Sequence, residues 1–282
     1  MGKIWLITGC SSGFGQEIAL AALAHGDTVV ATARDPAKLA QLAEHGAITE
    51  QLDVLDSDEN LRKKIDSIVE KTGRIDILVN NAGYMLAGGV EECNRSEVEA
   101  QFQTNVFGQL NVIRAVLPIM RDQRSGVVAN MGSVRGWHGM PSMGVYHATK
   151  ACVTILSETL RKEVVHLGVK VTVILPNDFR TNLLSPGHKK VPAQRIRELY
   201  DSTDFLFTFL DTYDHQQPGD PQKGARMIVE ALTRTRSGMG DELPSRLTLD
   251  NKEYRIDSDH IDGYEASLEG EKDVSTANGD DP

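Results

Sequence analysis

Cysteine is scarce in this chain. Cys10, Cys93 and Cys152 are scattered, odd in number and without the paired spacing of a metal site. That excludes a disulfide framework, predicts no bound metal and points to a reducing compartment. Long apolar runs are also lacking. No stretch has the ~20 consecutive apolar residues of a membrane helix, and Met1 to Thr8 leads into a strand with no small-residue cleavage site. The expectation is a cytoplasmic chain without a membrane span. Positive charge is the third deficit. The net charge is −10, and residues 250–282 hold 11 acidic against 3 basic groups, leaving 29 against 27 in the preceding 249. A nearly neutral body makes nucleic acid and anionic membrane poor partners.

What is present is ordinary for a globular protein: 40% hydrophobic and 25% charged residues in 282, with no internal repeat and no linker that divides the chain. Lys3 to Thr8 is an apolar run, followed by Gly9-Cys10-Ser11-Ser12-Gly13-Phe14-Gly15. Ile18, Ala22 and Leu23 then recur at helical spacing. Strand, glycine turn and helix form the first half of a dinucleotide-binding unit. Its glycines let the backbone approach a pyrophosphate, whose charge the helix N-terminus stabilises. A plain tight turn is the competing reading of one glycine loop.

The alternation continues. Strands are predicted at 28–33, 47–52, 76–79, 126–131 and 169–175, with a short last strand at 246–249. Helices are predicted from Pro36, from a Ser57 cap to about Thr72, from Ser96 to Met120, through Tyr146 to about His166, and from Pro221 to Thr235. This rhythm specifies the α/β class, a parallel sheet covered on both faces and wound right-handed. A single domain spans 1–250. An insertion after the sixth strand, about 183–218 and carrying Phe205, Phe207 and Phe209, is placed as a lid or as an amphipathic helix closing the core. Residues 251–282 are an acidic extension, expected to be disordered beyond about 269.

Tyr146 and Lys150 stand at i and i+4, on one helix face. A phenol with a pKa of ~10 exchanges protons poorly near neutrality, and a close ammonium favours the phenolate. The pair can therefore give or take a proton. His147 points about 100° around the helix, away from direct chemistry.

Thr8-Gly9-x-x-x-Gly13-x-Gly15, Asn80-Asn81-Ala82-Gly83, Asn105, Ser133 and Tyr146-x-x-x-Lys150 follow one another in order. The set resembles the short-chain dehydrogenase/reductase family over roughly Lys3 to Thr235. The context Asn105-Val-Phe-Gly resembles its 17β-hydroxysteroid and retinol dehydrogenase branch. This resemblance implies a doubly wound Rossmann-type fold and a catalytic set of Tyr146, Lys150, Ser133 and Asn105. Tyr146 would protonate a carbonyl oxygen or take an alcohol proton. Lys150 would lower the Tyr146 pKa and hold the nicotinamide ribose. Ser133 would bond the substrate oxygen, and Asn105 would position a water linking Lys150 to solvent. By residue chemistry alone, Ser133 could instead cap a turn and Asn105 bond nearby backbone. The implied cofactor contacts are Thr8, Gly9, Ser11, Ser12, Gly13, Phe14, Gly15, Asp53 near the adenine, Asn81, Ala82, Gly83, Phe179 and Thr181. The helices from Ser96 and through Tyr146 resemble the family's subunit interface, which implies a homodimer or homotetramer.

Arg34 decides the expected cofactor. The second strand ends Ala31-Thr32-Ala33-Arg34, with no carboxylate where a ribose 2′-hydroxyl would be bound. A guanidinium suits a 2′-phosphate, so NADP(H) is expected, although Arg34 could be merely solvated and Asp35 could soften the preference. Where the family has Pro-Gly, this chain has Pro176-Asn177. Asn tolerates φ > 0, so the turn can persist with its side chain near the substrate. Trp137, Met140 and Met143, with Phe205, would line an apolar pocket. The expected substrate is a medium-sized hydrophobic ketone or alcohol, in a biosynthetic or secondary-metabolic setting. The alternatives are a redox-neutral isomerase, dehydratase or cyclase, and an NADP sensor, which would lack a catalytic residue.

Overall fold

A computed structural model of the chain describes residues 2–196, 201–233, 242–249 and 256–257. Its strands are β1 (Ile4–Ile7), β2 (Thr28–Ala33), β3 (Ile48–Gln51), β4 (Ile77–Asn80), β5 (Met85–Leu86), β6 (Gly126–Met131), β7 (Val169–Pro176), β8 (Lys189–Lys190), β9 (Arg246–Leu249) and β10 (Ile256–Asp257). Its helices are α1 (Gly13–Ala24), α2 (Ala40–Glu44), α3 (Asp58–Thr72), α4 (Arg95–Phe102), α5 (Gly108–Gln123), α6 (Gly144–Val164), α7 (Asp201–Tyr213) and α8 (Pro221–Thr233).

The strand sequences explain the layers. Trp5 and Ile7 of β1 pack in one core with Ile18, Ala22, Ile228 and Leu232. Leu6 between them packs in another with Leu61, Ile65, Val112 and Val116. Alternate side chains leave opposite faces of a strand, so continuous apolar runs need helices on both sides. Thus α1 and α8 cover one face, and α3 and α5 the other. Local chemistry sets the helix ends. The Ser57 hydroxyl accepts from Asn60 N to start α3, and Gly73 ends it with φ 79°. Such a cap contributes about 1 kcal/mol.

The main sheet has the order β10-β9-β7-β6-β4-β1-β2-β3, with seven strands parallel and β10 antiparallel to β9. This is the parallel sheet covered on both faces expected from the alternation, in the doubly wound, single-domain Rossmann-type arrangement that the family resemblance implies. The order reverses between β1 and β4, and in such sheets the crevice at that point takes the ligand. A separate parallel pair, β5 with β8, joins the segment after β4 to the segment after β7.

Two departures bear on function. The expected single helix from Ser96 is interrupted by a π-turn at Gln103–Phe107, which holds Asn105 fully buried. A π-turn widens the helix and re-aims one side chain. The segment 183–218 is not irregular throughout, since it contains α7. The acidic extension, apart from 256–257, lies outside the described residues.

Candidate active site

A cavity of about 980 Å³ opens along the carboxyl ends of the central strands. One end is bounded by Gly9, Ser11, Ser12 and Gly13, with Arg34 and Asp53 nearby; the other by Ser133, Tyr146, Asn177 and Leu210. The first end is built by the β1–α1 turn. Gly9 and Gly13 have φ of 71° and 60°, conformations that L side chains rarely adopt. A Cβ on Gly15 would lie 2.4 Å from both Asn81 Nδ2 and the Gly9 carbonyl. Asn81 Nδ2 donates to the carbonyls of Thr8 and Gly9, and Thr8 Oγ1 accepts from the amides of Asn81 and Ala82. The loop is thereby fixed to the Asn81-Ala82-Gly83 segment.

Helix α1 begins here without a side-chain cap and with no acidic residue in its first turn. Uncapped N–H groups and the helix dipole favour an anion. The donor set and the glycine backbone fit a dinucleotide pyrophosphate. Phe14 meets Phe179 edge-on at 5.0 Å, and Thr181 stands beside Gly13.

At the other end Tyr146 and Lys150 emerge from α6, each 5% exposed. The Ser133 hydroxyl stands beside the phenol and caps the next turn, its Oγ accepting from Arg135 N at 3.1 Å. Lys150 Nζ donates to the Met131 carbonyl at 2.8 Å and lies 5.7 Å from the centre of the Tyr146 ring. Burial pushes the phenol up, the Ser133 hydroxyl pulling it partly back, while burial pushes the Lys150 ammonium down to about 8. A phenol lowered by Lys150 was expected. Burial raises the phenol instead, and the buried ammonium is aimed at Met131.

The remaining expected residues divide by position. Ser11, Ser12, Gly13, Phe14, Arg34, Asp53, Asn81, Ala82, Gly83, Phe179, Thr181, Met140 and Asn177 all reach the cavity wall. Thr8, Gly15 and Asn105 stand behind it. Asn105 Oδ1 accepts from Tyr84 N, and its Nδ2 donates to Tyr84 O and Thr149 Oγ1, so it braces the wall. Asp35 accepts from Ala37 N as the cap of the next turn and is not among the cavity's walls.

Trp137 and Phe205 are corrections, because neither lines the cavity. The Trp137 ring packs on the Arg246 guanidinium at 3.9 Å. Phe205 is 73% exposed, whereas Leu206, Phe209, Leu210 and Tyr213 of α7 reach the cavity. Their spacing, i, i+3, i+4 and i+7, is one helix stripe, and Phe205 lies a residue off it. Asn177 keeps its expected place on the cavity wall, but not through a left-handed turn: among the described residues the non-glycine positions with positive φ are Arg124, Ser142 and His215. Lys38, four residues beyond Arg34, lines the cavity and went unread, although the turn after β2 was a legible place for a second cation. His188 went unread as well, and nothing in its sequence context signals it.

A profile of the short chain dehydrogenase family matches residues 3–191. The chain is 41% identical over 237 residues to "Oxidoreductase BOA17" of Botryotinia fuckeliana (strain B05.10), covering 82% of this chain and 85% of that one. Among solved structures it resembles a short-chain dehydrogenase from Streptomyces avermitilis, with a TM-score of 0.84, 36% identity and coverage of 99% and 98%. ElxO with NADP bound gives 0.69, 26%, 89% and 98% for the same measures. A family structure from Burkholderia phymatum in complex with NAD shares the fold, with 0.76, 24%, 100% and 97%.

Proposed function

Because the chain belongs to the short-chain dehydrogenase/reductase family, we propose that it is an NADP(H)-dependent oxidoreductase interconverting a ketone and a secondary alcohol on a medium-sized hydrophobic substrate. One observation carries this reading. Ser133, Tyr146 and Lys150 meet in a cavity continuous with an uncapped glycine loop, beside walls of Met85, Met140, Met143, Leu184, Leu206 and Leu210.

Each residue then has a task. The Ser133 hydroxyl holds the substrate oxygen beside the phenol and stabilises charge that develops on it. Tyr146 donates its proton to that oxygen in reduction and recovers one from the alcohol in oxidation. Lys150, close to the ring in a buried site, favours the phenolate and binds ribose hydroxyls. A bound nicotinamide supplies or accepts the hydride. Asn105 keeps the Tyr84 segment and α6 in register through Tyr84 and Thr149. The segment 183–218, through α7, acts as a lid that excludes water.

Cofactor choice rests on Arg34 and Lys38 at the end of the cavity where the adenosine ribose would lie, with the Asp35 carboxylate engaged elsewhere. Two cations there suit a 2′-phosphate. Phe107 beside α5, and Ile155 and Leu156 on α6, are exposed apolar residues that suit a homodimer or homotetramer interface. Purified protein incubated with NADPH and a panel of hydrophobic ketones, followed by absorbance loss, tests the reading. Turnover in wild type that disappears in Tyr146→Phe is expected. Tight NADPH binding with no turnover on a broad panel would reject it.

A further inference from the structure

His188 stands where the reading above does not use it. The segment after β7 crosses back over the cavity and is held at several points. Strand β8 pairs with β5, Met85 N donates to His188 O at 3.0 Å, and Ser185 Oγ donates to Asp214 Oδ2 at 2.8 Å. This strap carries the half-buried His188 imidazole to the glycine loop, where Nε2 lies 3.2 Å from Ser12 Oγ. Ser12 occupies the N-cap position of α1, yet its side chain makes no capping bond. Its hydroxyl bonds the imidazole instead, so the free amides of α1 and His188 both border one part of the cavity wall.

We infer that His188 is a ligand of the cofactor's diphosphate: when that anion seats at the start of α1, the imidazole donates from Nε2 to a phosphate oxygen and takes one proton from solvent. This inference rests on the dinucleotide reading of the site. The charges around the ring set the direction. Arg34 and Lys38 face it from the end of β2 and the turn after it. Its chain neighbours are engaged elsewhere, Lys189 with Asp211 and Lys190 on the Tyr84 ring. Burial first, then Lys38 and Arg34, hold the imidazole below its ordinary value. An anion beside it reverses the sign of the local field and favours the imidazolium. A charge-assisted bond is about twice as strong as a neutral one, so protonation increases affinity.

The test is calorimetric titration of the full chain with NADH and with NADPH, in buffers of different ionisation enthalpy. NADH is included because it lacks a 2′-phosphate that titrates in the same range. Wild type is expected to take up a substantial fraction of a proton on binding NADH at pH 7, and its Kd to rise about tenfold from pH 6 to 8.5. His188→Gln keeps a donor without a charge and is expected to take up no proton and show a flat Kd. Equal proton uptake and equal pH slopes in the two proteins would overturn the inference. So would binding by wild type with no buffer dependence, a result that needs no variant. Binding of neither cofactor would instead overturn the dinucleotide reading, so the two failures are distinguishable.

Discussion

The Lys150 ammonium lies 5.7 Å from the centre of the Tyr146 ring and donates to the Met131 carbonyl at 2.8 Å. The lysine is thus anchored to the end of β6, with the phenol ring beside it in the same buried site. Tyr146→Phe keeps the ring and its packing and removes only the exchangeable proton. It is expected to lower kcat by about 10²–10⁴-fold with a nearly unchanged NADPH Kd. Fluorescence titration beside steady-state kinetics separates the two effects. A variant retaining more than a tenth of wild-type kcat would remove Tyr146 from the chemistry.

Lys150 also affects folding, and the sign follows from burial. Its value falls from 10.5 to about 8 in the folded chain, on the order of 3 kcal/mol at most. Below pH 8 the group is protonated in both states and the full desolvation cost opposes folding. Between about 8 and 10.5 the unfolded chain binds more protons, so stability rises with pH. Lys150→Met is therefore expected to be inactive and at least as stable as wild type at pH 7, less the bond lost at Met131. Wild type should gain on the variant between pH 8 and 10.5. Denaturation midpoints at pH 7 and 10 measure this, and an identical gap at both would show that burial does not govern this lysine.

On the proposed reading, Arg34 and Lys38 are the residues that should discriminate NADPH from NADH. Removing one charge-assisted phosphate contact costs about 1.5–3 kcal/mol. Arg34→Ala is expected to raise the NADPH KM by about 10–100-fold and the NADH KM by less than about threefold. Lys38→Ala should act in the same sense and more weakly, as a point charge on a flexible stem. Equal losses for both cofactors would mean that these cations hold something common to NAD and NADP.

The parallel sheet was legible because most of its strands are short, largely apolar or β-branched runs bounded by turn residues. Thr28–Ala33, Gly126–Met131 and Arg246–Leu249 fall on the residues expected. The site was legible where chemistry depends on fixed spacing, as at Tyr146 and Lys150, which one helix face must present together. It was not legible where tertiary packing decides. The π-turn at Asn105 leaves no mark in an apolar pattern that suits an unbroken helix. Asn177 takes no left-handed conformation, so its tolerance for one had nothing to act on. Phe205 drew attention as a large aromatic, but the α7 stripe was set by its neighbours. His188 reaches Ser12 across 176 residues of sequence, a contact made by the strap and by no local pattern.

Helix α7 offers the sharpest test of the proposed substrate wall. Phe205 and Phe209 are four residues apart, both partly open to water, and only Phe209 reaches the cavity. Phe209 also stacks on Tyr213 at 4.9 Å. Truncating either should cost little stability, since neither is a fully buried core residue, and both Tm values should stay within a few degrees of wild type. Phe209→Ala removes apolar wall and is expected to raise KM for a bulky hydrophobic ketone by about 10-fold, with a smaller effect on a short one. Phe205→Ala should leave both KM values within about twofold. Should Phe205→Ala discriminate between bulky and short ketones while Phe209→Ala does not, the substrate must lie on the outer face of α7, and the cavity beside Tyr146 would not be its binding site.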